Sequence, residues 1–291
     1  MQALALWELG LRRWREKRGE QSAPEIRPGV TINRRDLAAL PAPSANLLWR
    51  NLRVRDIHRE NGKSKTQNIR IEVEVTGESA GREWRCGLEF DFANSESFYV
   101  RPLREATGAR PSLPEEASGV RVAFLPPMSG LAAHETKIEM GAIRARLGEG
   151  RTAEVLRNLC FQVFTSLPEE WQKLRAAIEG LFGVILGEPE YVSERGEIVM
   201  SYRDSRSDNR RIGQQLDLSS SGRGLQQTLL LLSFLALHPG SVLLLDELDA
   251  HLEILRQREI FESLQEAARR RDSQLIIASH SEVVMNEAHR N

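Results

Sequence analysis

Residues 242–252 read Val-Leu-Leu-Leu-Asp-Glu-Leu-Asp-Ala-His-Leu, an apolar run that ends abruptly in Asp246 and Glu247. This pattern fits a central strand buried on both faces, as parallel strands are. Carboxylates at the carboxyl end of such a strand stand in the crevice where open α/β sheets bind ligands. Two acids often do no more than end a strand, so the residues around them decide between the two readings.

Those residues form a series. Ser241–Glu247 and Gln274–Ser279 read as strands, and Glu253–Arg271 between them reads as a helix. A helix between two apolar strands predicts a right-handed parallel crossover, which brings both carboxyl ends to one edge. His280 ends the second strand, 34 positions after Asp246. A lone His after a strand is more often structural. At this edge a neutral His can instead bond a phosphate oxygen or hold a water near Glu247. Asp249 and His251 lie just past the acidic pair, and Asp249 by itself would serve as a helix cap. Upstream, Ser219-Ser-Ser-Gly-Arg-Gly-Leu-Gln-Gln227 precedes an apolar helix ending at Leu237. Alone it reads as a flexible loop with a Ser cap. Small residues at a helix N-terminus also make an anion site, because outward N–H groups meet no Cβ.

Together these features, in this order, resemble the ABC-type ATPase heads of the SMC, RecF and OLD groups, within the AAA-family ATPases. The likeness is strongest over residues 212–286. It implies a P-loop NTPase three-layer α/β fold with an antiparallel β-subdomain and a helical lobe. It implies ATP and Mg²⁺ as cofactors, with Asp246 as the metal carboxylate, acting through water, and Glu247 as the general base. By the same resemblance Ser221, Gly222 and Gly224 form the signature loop that contacts the γ-phosphate held by an opposite subunit. Asp249 is then the loop acid at the dimer contact and His280 the switch histidine. Leu248 stands where the family often has Pro, and the stretched Ser-Ser-Ser-Gly-Arg-Gly leaves open which Ser contacts phosphate.

One expected element is not in the sequence. Gly-x-x-x-x-Gly-Lys-Ser/Thr holds the β- and γ-phosphates in this family. Only Gly62-Lys63-Ser64 resembles it. Ile57 occupies the first Gly position, and an alternating strand follows where a helix must open. Asn61-Gly62 is explained by a two-residue hairpin turn. Met1–Lys17 looks like the helix that follows the phosphate loop in relatives, and it has no start signal. The expectation is a single incomplete head that lacks its first strand and phosphate loop and is inactive alone. Its parts would be 1–43 (helix and loop), 44–125 (β-subdomain), 126–183 (helical lobe) and 184–291 (catalytic core). The expected partner is a second copy or an intact ATPase, and the expected work is on DNA or a nuclease effector in repair or phage defence. A rival reading is a non-hydrolysing module that lends its signature loop to an intact ATPase.

The rest of the chain fits one large domain or two smaller ones. Helical spacing of Leu4, Leu6, Trp7, Leu9, Leu11 and Trp14 predicts an N-terminal helix, and Glu20–Pro43 reads as loop. Alternation over Leu47–Leu103 predicts antiparallel strands with turns at Asn61-Gly62 and Gly77–Gly81. Val120–Phe124 reads as a departing strand, Thr152–Phe182 as two helices, and Val184–Leu186 and Ile198–Tyr202 as strands. Lys+Arg 40 against Asp+Glu 41 gives a formal net charge of -1 and no global pull toward nucleic acid or membrane. Arg12-Arg13-Trp14-Arg15 is read as solvated charge. The longest apolar stretch is too short to span a bilayer, and the N-terminus has no secretory pattern. Cys86 and Cys160 have no metal spacing, so a reduced cytoplasmic protein is expected.

Overall fold

The computed structural model describes residues 2–19, 29–37, 42, 44–60, 63–128, 130–205 and 215–290. The chain forms two compact units, Met1–Val122 and Ala123–Asn291.

The first unit is built on α1 (Gln2–Arg18) and six strands: β1 (Val30–Asn33), β2 (Arg55–Glu60), β3 (Lys63–Asn68), β4 (Arg70–Ser79), β5 (Arg82–Asn94) and β6 (Ser97–Pro102). Four of them make an antiparallel sheet in the order β1-β6-β5-β4. The apolar face of α1 buries Leu6, Trp7, Leu11 and Trp14, and the sheet buries Leu88, Phe90, Phe98 and Val100. Gly10 lets the helix approach, since a Cβ there would lie 2.8 Å from the Phe90 ring. The Trp7 indole donates to the carbonyl oxygen of Cys86 at 2.9 Å, which satisfies its N–H inside the core. The sheet's other face holds a buried ionic cluster. Arg110 donates to Glu89 at 2.8 Å, and Arg101 bonds both Glu89 and Asp91.

Two expectations for this unit change. The stretch read as loop contains β1, whose four alternating residues pair with Ser97–Val100. The turn expected at Gly77–Gly81 narrows to Ala80 and Gly81, which take positive φ of 52° and 73°. Gly77 is instead a strand residue opposite Trp84, and the Trp84 indole occupies the space a Cβ would need. Strands β2 and β3 pair from Arg55↔Asn68 to Glu60↔Lys63, as the hairpin reading requires. Asn61 and Gly62 themselves lie outside the described residues.

The second unit contains β7 (Val122–Leu125), α2 (Met140–Gly148), α3 (Leu156–Ser166), α4 (Pro168–Phe182), β8 (Val184–Leu186), β9 (Glu190–Val192), β10 (Glu197–Val199), β11 (Ser201–Asp204), β12 (Leu216–Asp217), α5 (Arg223–Leu237), β13 (Val242–Asp246), α6 (Ile254–Arg270), β14 (Gln274–Ala278) and α7 (Glu282–Arg290). The single strand expected over Ile198–Tyr202 is two. β10 pairs with β9, Met200 is buried, and β11 then joins β8 and β12. Helices α2 and α7 and strand β9 extend the reading of the sequence.

Helix α5 is buried almost all round from Leu225 to Ala236, as an apolar helix at the centre of a core should be. It packs against α3, α4 and α6. The sheet order β14-β13-β7 puts β13 in the middle, and Leu243, Leu244 and Leu245 are 2% exposed or less. β13 and β14 are parallel, with Val242↔Gln274 at one end and Asp246↔Ala278 at the other. The predicted parallel pairing with a helix between the strands is therefore present, and the α/β class with it.

Candidate functional site

The parallel register fixes the first part of the site. Asp246 is the last paired residue of β13, opposite Ala278, so His280 follows two positions beyond the partner of Asp246. The Glu247 amide donates to the carbonyl oxygen of Ala278 at 3.0 Å, which carries the sheet bonding one residue past the strand. Glu247 has φ 49°, a left-handed conformation that costs a side-chain-bearing residue of order 1–3 kcal/mol. Leu248 is fully buried and anchors the turn in the core of the second unit. Asp246 is half-buried, while Glu247 and His280 are exposed.

Asp246, Glu247 and His280 line one cavity of about 700 Å³. Its remaining wall comes from α6, β14 and α7, including Phe261, Leu275, Ile277 and Met285. Asp249 is outside this lining. Its carboxylate accepts from the Ser279 hydroxyl, and the same Ser279 oxygen accepts from the Ser281 amide at 3.0 Å. The loop after β13 is thus tied to the loop after β14. Ser281 in turn donates to Gln257 Oε1 at 2.5 Å, which fixes both loops to α6.

The Ser-Gly segment builds a second cavity, of about 380 Å³. Ser221, Gly222 and Gly224 line it together with Arg223, His251, Leu252, Glu253 and Arg256. Among the described residues none lines both cavities. Helix α5 starts at Arg223, earlier than the helix expected after Gln227, and Leu218–Ser220 form a separate 3-10 turn ahead of it. Asp217 caps that turn, accepting from the Ser219 amide at 2.8 Å and the Ser219 hydroxyl at 2.6 Å. Ser220 donates to the Asp217 carbonyl at 2.7 Å, and Ser221 donates to the Leu218 carbonyl at 2.7 Å. Of the three serines, Ser221 is the one in the cavity lining. A Cβ on Gly222 would meet open space, and its φ of -62° suits any residue. Neither packing nor backbone conformation within the chain requires glycine there.

Sequence reasoning missed the residues that hold this turn. Gln226, 4% exposed, donates to the Ser221 carbonyl at 3.0 Å and the Leu218 carbonyl at 3.3 Å. Arg157 on α3 donates to Asp217 at 2.9 Å. Burial works to raise the Asp217 carboxyl, but the Ser219 hydroxyl and amide and the Arg157 charge outweigh it and hold it below the usual range. Arg157 stands 60 positions before Asp217. Its signal in the sequence is a charged residue in the first turn of an otherwise uncharged helix, which says nothing of its partner.

Among the described residues no group of three His, Cys, Asp or Glu could hold a metal ion by itself. One strand-end carboxylate suits Mg²⁺, which takes one or two carboxylates and completes its shell with water and phosphate oxygens. Among the same residues no helix is long and apolar enough to cross a membrane.

Residues 151–286 match the AAA_21 family, described as an AAA domain, putative AbiEii toxin, type IV toxin–antitoxin system. A search of curated proteins finds no match. Among solved structures, the SMC head domain from Thermotoga maritima is similar at 16% identity and TM-score 0.36, over 74% of this chain and 66% of that one. An Smc head bound to the C-terminal winged-helix domain of ScpA is similar at 13% identity and TM-score 0.45, over 98% and 79%. A structure from work on ATP-driven dimerisation of SMC ATPases is similar at 16% identity and TM-score 0.32, over 44% and 76%. The family match covers Ser221, Gly222, Gly224, Asp246, Glu247, Asp249 and His280, and residues 151–286 are accordingly similar to the AAA_21 domain.

Proposed function

We propose that this chain is an ABC-type ATPase head that works as a head-to-tail pair, with Mg²⁺-ATP between the subunits. Asp246 holds Mg²⁺ through water, Glu247 takes the proton of the attacking water, and His280 orients that water against the γ-phosphate. Ser221, Gly222 and Gly224 close on the γ-phosphate of the nucleotide carried by the opposite subunit, with Asp249 at the contact. The open space beside Gly222 supports an approach by phosphate from outside the chain.

The carrying observation is the separation of the two constellations into cavities without a common lining residue. This separation supports a nucleotide served by the two constellations from two subunits. The phosphate-cradling Gly-Lys loop is not within this sequence, so the chain alone binds ATP weakly and turns it over at close to background. The same fact supports the second reading, a module that lends its Ser-Gly turn to an intact ATPase. In either case the power stroke serves an effector of repair or defence type. The family description, which names a putative toxin of a type IV toxin–antitoxin system, supports the defence side. Two free, buried cysteines support a reducing, cytoplasmic setting.

Titration with a fluorescent ATP analogue tests the reading. Weak, Mg²⁺-dependent binding is expected, reduced by about tenfold or more in Asp246→Asn. Binding that ignores both Mg²⁺ and Asp246 overturns the metal assignment, and no binding at millimolar nucleotide favours the lending module.

A further inference from the structure

The Ser-Gly turn does not stand on its own hydrogen bonds alone. Arg157 is a guanidinium with 1% of its side chain exposed, and a charge so placed is costly unless fully bonded. Its Nη1 donates to the carbonyl oxygen of Ala132 at 2.8 Å, and its Nη2 donates to Asp217 Oδ1 at 2.9 Å. Asp217 Oδ1 is the same oxygen that caps Ser219. On the other side, Arg157 lies in the first turn of α3, whose N-terminus is capped from outside. Glu135, 2% exposed, accepts from the Arg157 amide at 2.8 Å, from the Asn158 amide at 2.6 Å and from Asn158 Nδ2 at 2.7 Å. A continuous polar chain therefore runs from Glu135 through the first turn of α3 and Arg157 to Asp217 and the serine turn. Every link is inside the second unit.

We propose that Arg157 is a positioning residue that sets the serine turn through Asp217, so that the seating of α3 on Glu135 controls how Ser221 and Gly222 are presented to phosphate. The inference rests on the ATPase reading for what the turn contacts, and on geometry alone for how the turn is held. Asp217 has its carboxylate partly in water, with 46% of its side chain exposed. A cap so exposed would be free to swing, and the buried guanidinium behind it supplies the fixed point. Arg rather than Lys suits the position, because two diverging N–H groups are used at once. The consequence is a route by which a partner pressing on the helical part of the unit adjusts the signature turn without touching nucleotide.

Hydrogen exchange of the whole chain, read by mass spectrometry, tests this with Arg157→Lys and with Asp217→Ala, the second of which removes only a partly exposed side chain. Both variants are expected to raise exchange at the Ser219 and Ser221 amides by about tenfold, from loss of a charged hydrogen bond, while the amides of β13 and β14 keep their protection. The double variant should add nothing to the larger single effect. In the fluorescent-nucleotide titration, wild type and variants should bind alike, because the turn serves the opposite subunit's nucleotide. In sedimentation with Mg²⁺-ATP, both variants in a Glu247→Gln background should weaken dimerisation. Unchanged exchange at Ser219 and Ser221, or additive effects of the two changes, overturns the role of Arg157. Raised exchange together with dimerisation as strong as that of Glu247→Gln alone overturns its bearing on phosphate presentation. A Glu247→Gln parent with no nucleotide response counts against the ATPase reading instead, and leaves the exchange result to decide how the turn is held.

Discussion

The Glu247 amide donates to the Ala278 carbonyl oxygen at 3.0 Å, while Glu247 itself sits at φ 49°. The end of β14 thus holds the proposed base in a backbone conformation that glycine would adopt without cost. Glu247→Gly should leave stability unchanged or raise it by up to ~1 kcal/mol. Glu247→Gln, which keeps the strain, should be neutral. Thermal unfolding of the two variants checks this. A clear loss of stability in Glu247→Gly would mean that the side chain supports the fold and is not held there at the fold's expense.

Leu248 tests how the turn is anchored. It is fully buried directly after the acidic pair and belongs to the core of the second unit. Leu248→Ala should cost about 2–5 kcal/mol, measured by denaturant unfolding.

How legible these features were depended on scale. The run Val242–Leu245, the helix after it and Leu275–Ala278 announced themselves by apolarity and amphipathic spacing, so Asp246, Glu247 and His280 could be placed on one edge before any coordinates. Strand β1 was not legible, because four alternating residues carry little signal and its partner β6 lies some 65 positions on, as in Val30↔Val100 (100 minus 30 is 70) and Asn33↔Ser97 (97 minus 33 is 64). Gly77 pointed to a turn because glycine breaks strands more often than it makes room for an indole. The polar chain through Arg157, Asp217 and Gln226 was invisible for another reason. A side-chain hydrogen bond across 60 positions leaves no periodic trace.

The ionic cluster of the first unit should be costly to break. Burial works to raise the Glu89 carboxyl, but hydrogen bonds from Arg110 and Arg101 outweigh it and hold the group below its ordinary range. A carboxylate lowered in this way contributes stability above its unfolded value, and that contribution is lost as pH falls through the folded value. Glu89→Ala leaves the buried Arg110 without its carboxylate and Arg101 with Asp91 alone, and should cost about 3–5 kcal/mol at neutral pH. The loss should shrink in acid, where the wild type protonates too. Denaturant unfolding at neutral and acid pH reads both.

His238 gives the second unit its own pH dependence. Burial pushes its pKa down, against the hydrogen bond between Nδ1 and the Phe234 carbonyl oxygen at 2.7 Å. The folded state keeps this ring neutral where the unfolded chain protonates it near pH ~6.5. Stability should therefore fall as pH drops below about 6.5 and level off below the folded pKa. His238→Gln should flatten that slope. An equal slope in the variant would assign it to another group.

Sedimentation of Glu247→Gln with millimolar Mg²⁺-ATP addresses the head-to-tail pairing most directly, since loss of the proposed base removes any residual turnover while the pair is read. A nucleotide-dependent dimer is predicted, and adding Ser221→Arg on the same chain should abolish it by filling the cavity where the opposite subunit's phosphate must enter. A chain that stays monomeric with nucleotide, or a dimer indifferent to Ser221→Arg, would contradict the proposal that Ser221 and Glu247 meet one nucleotide from opposite subunits.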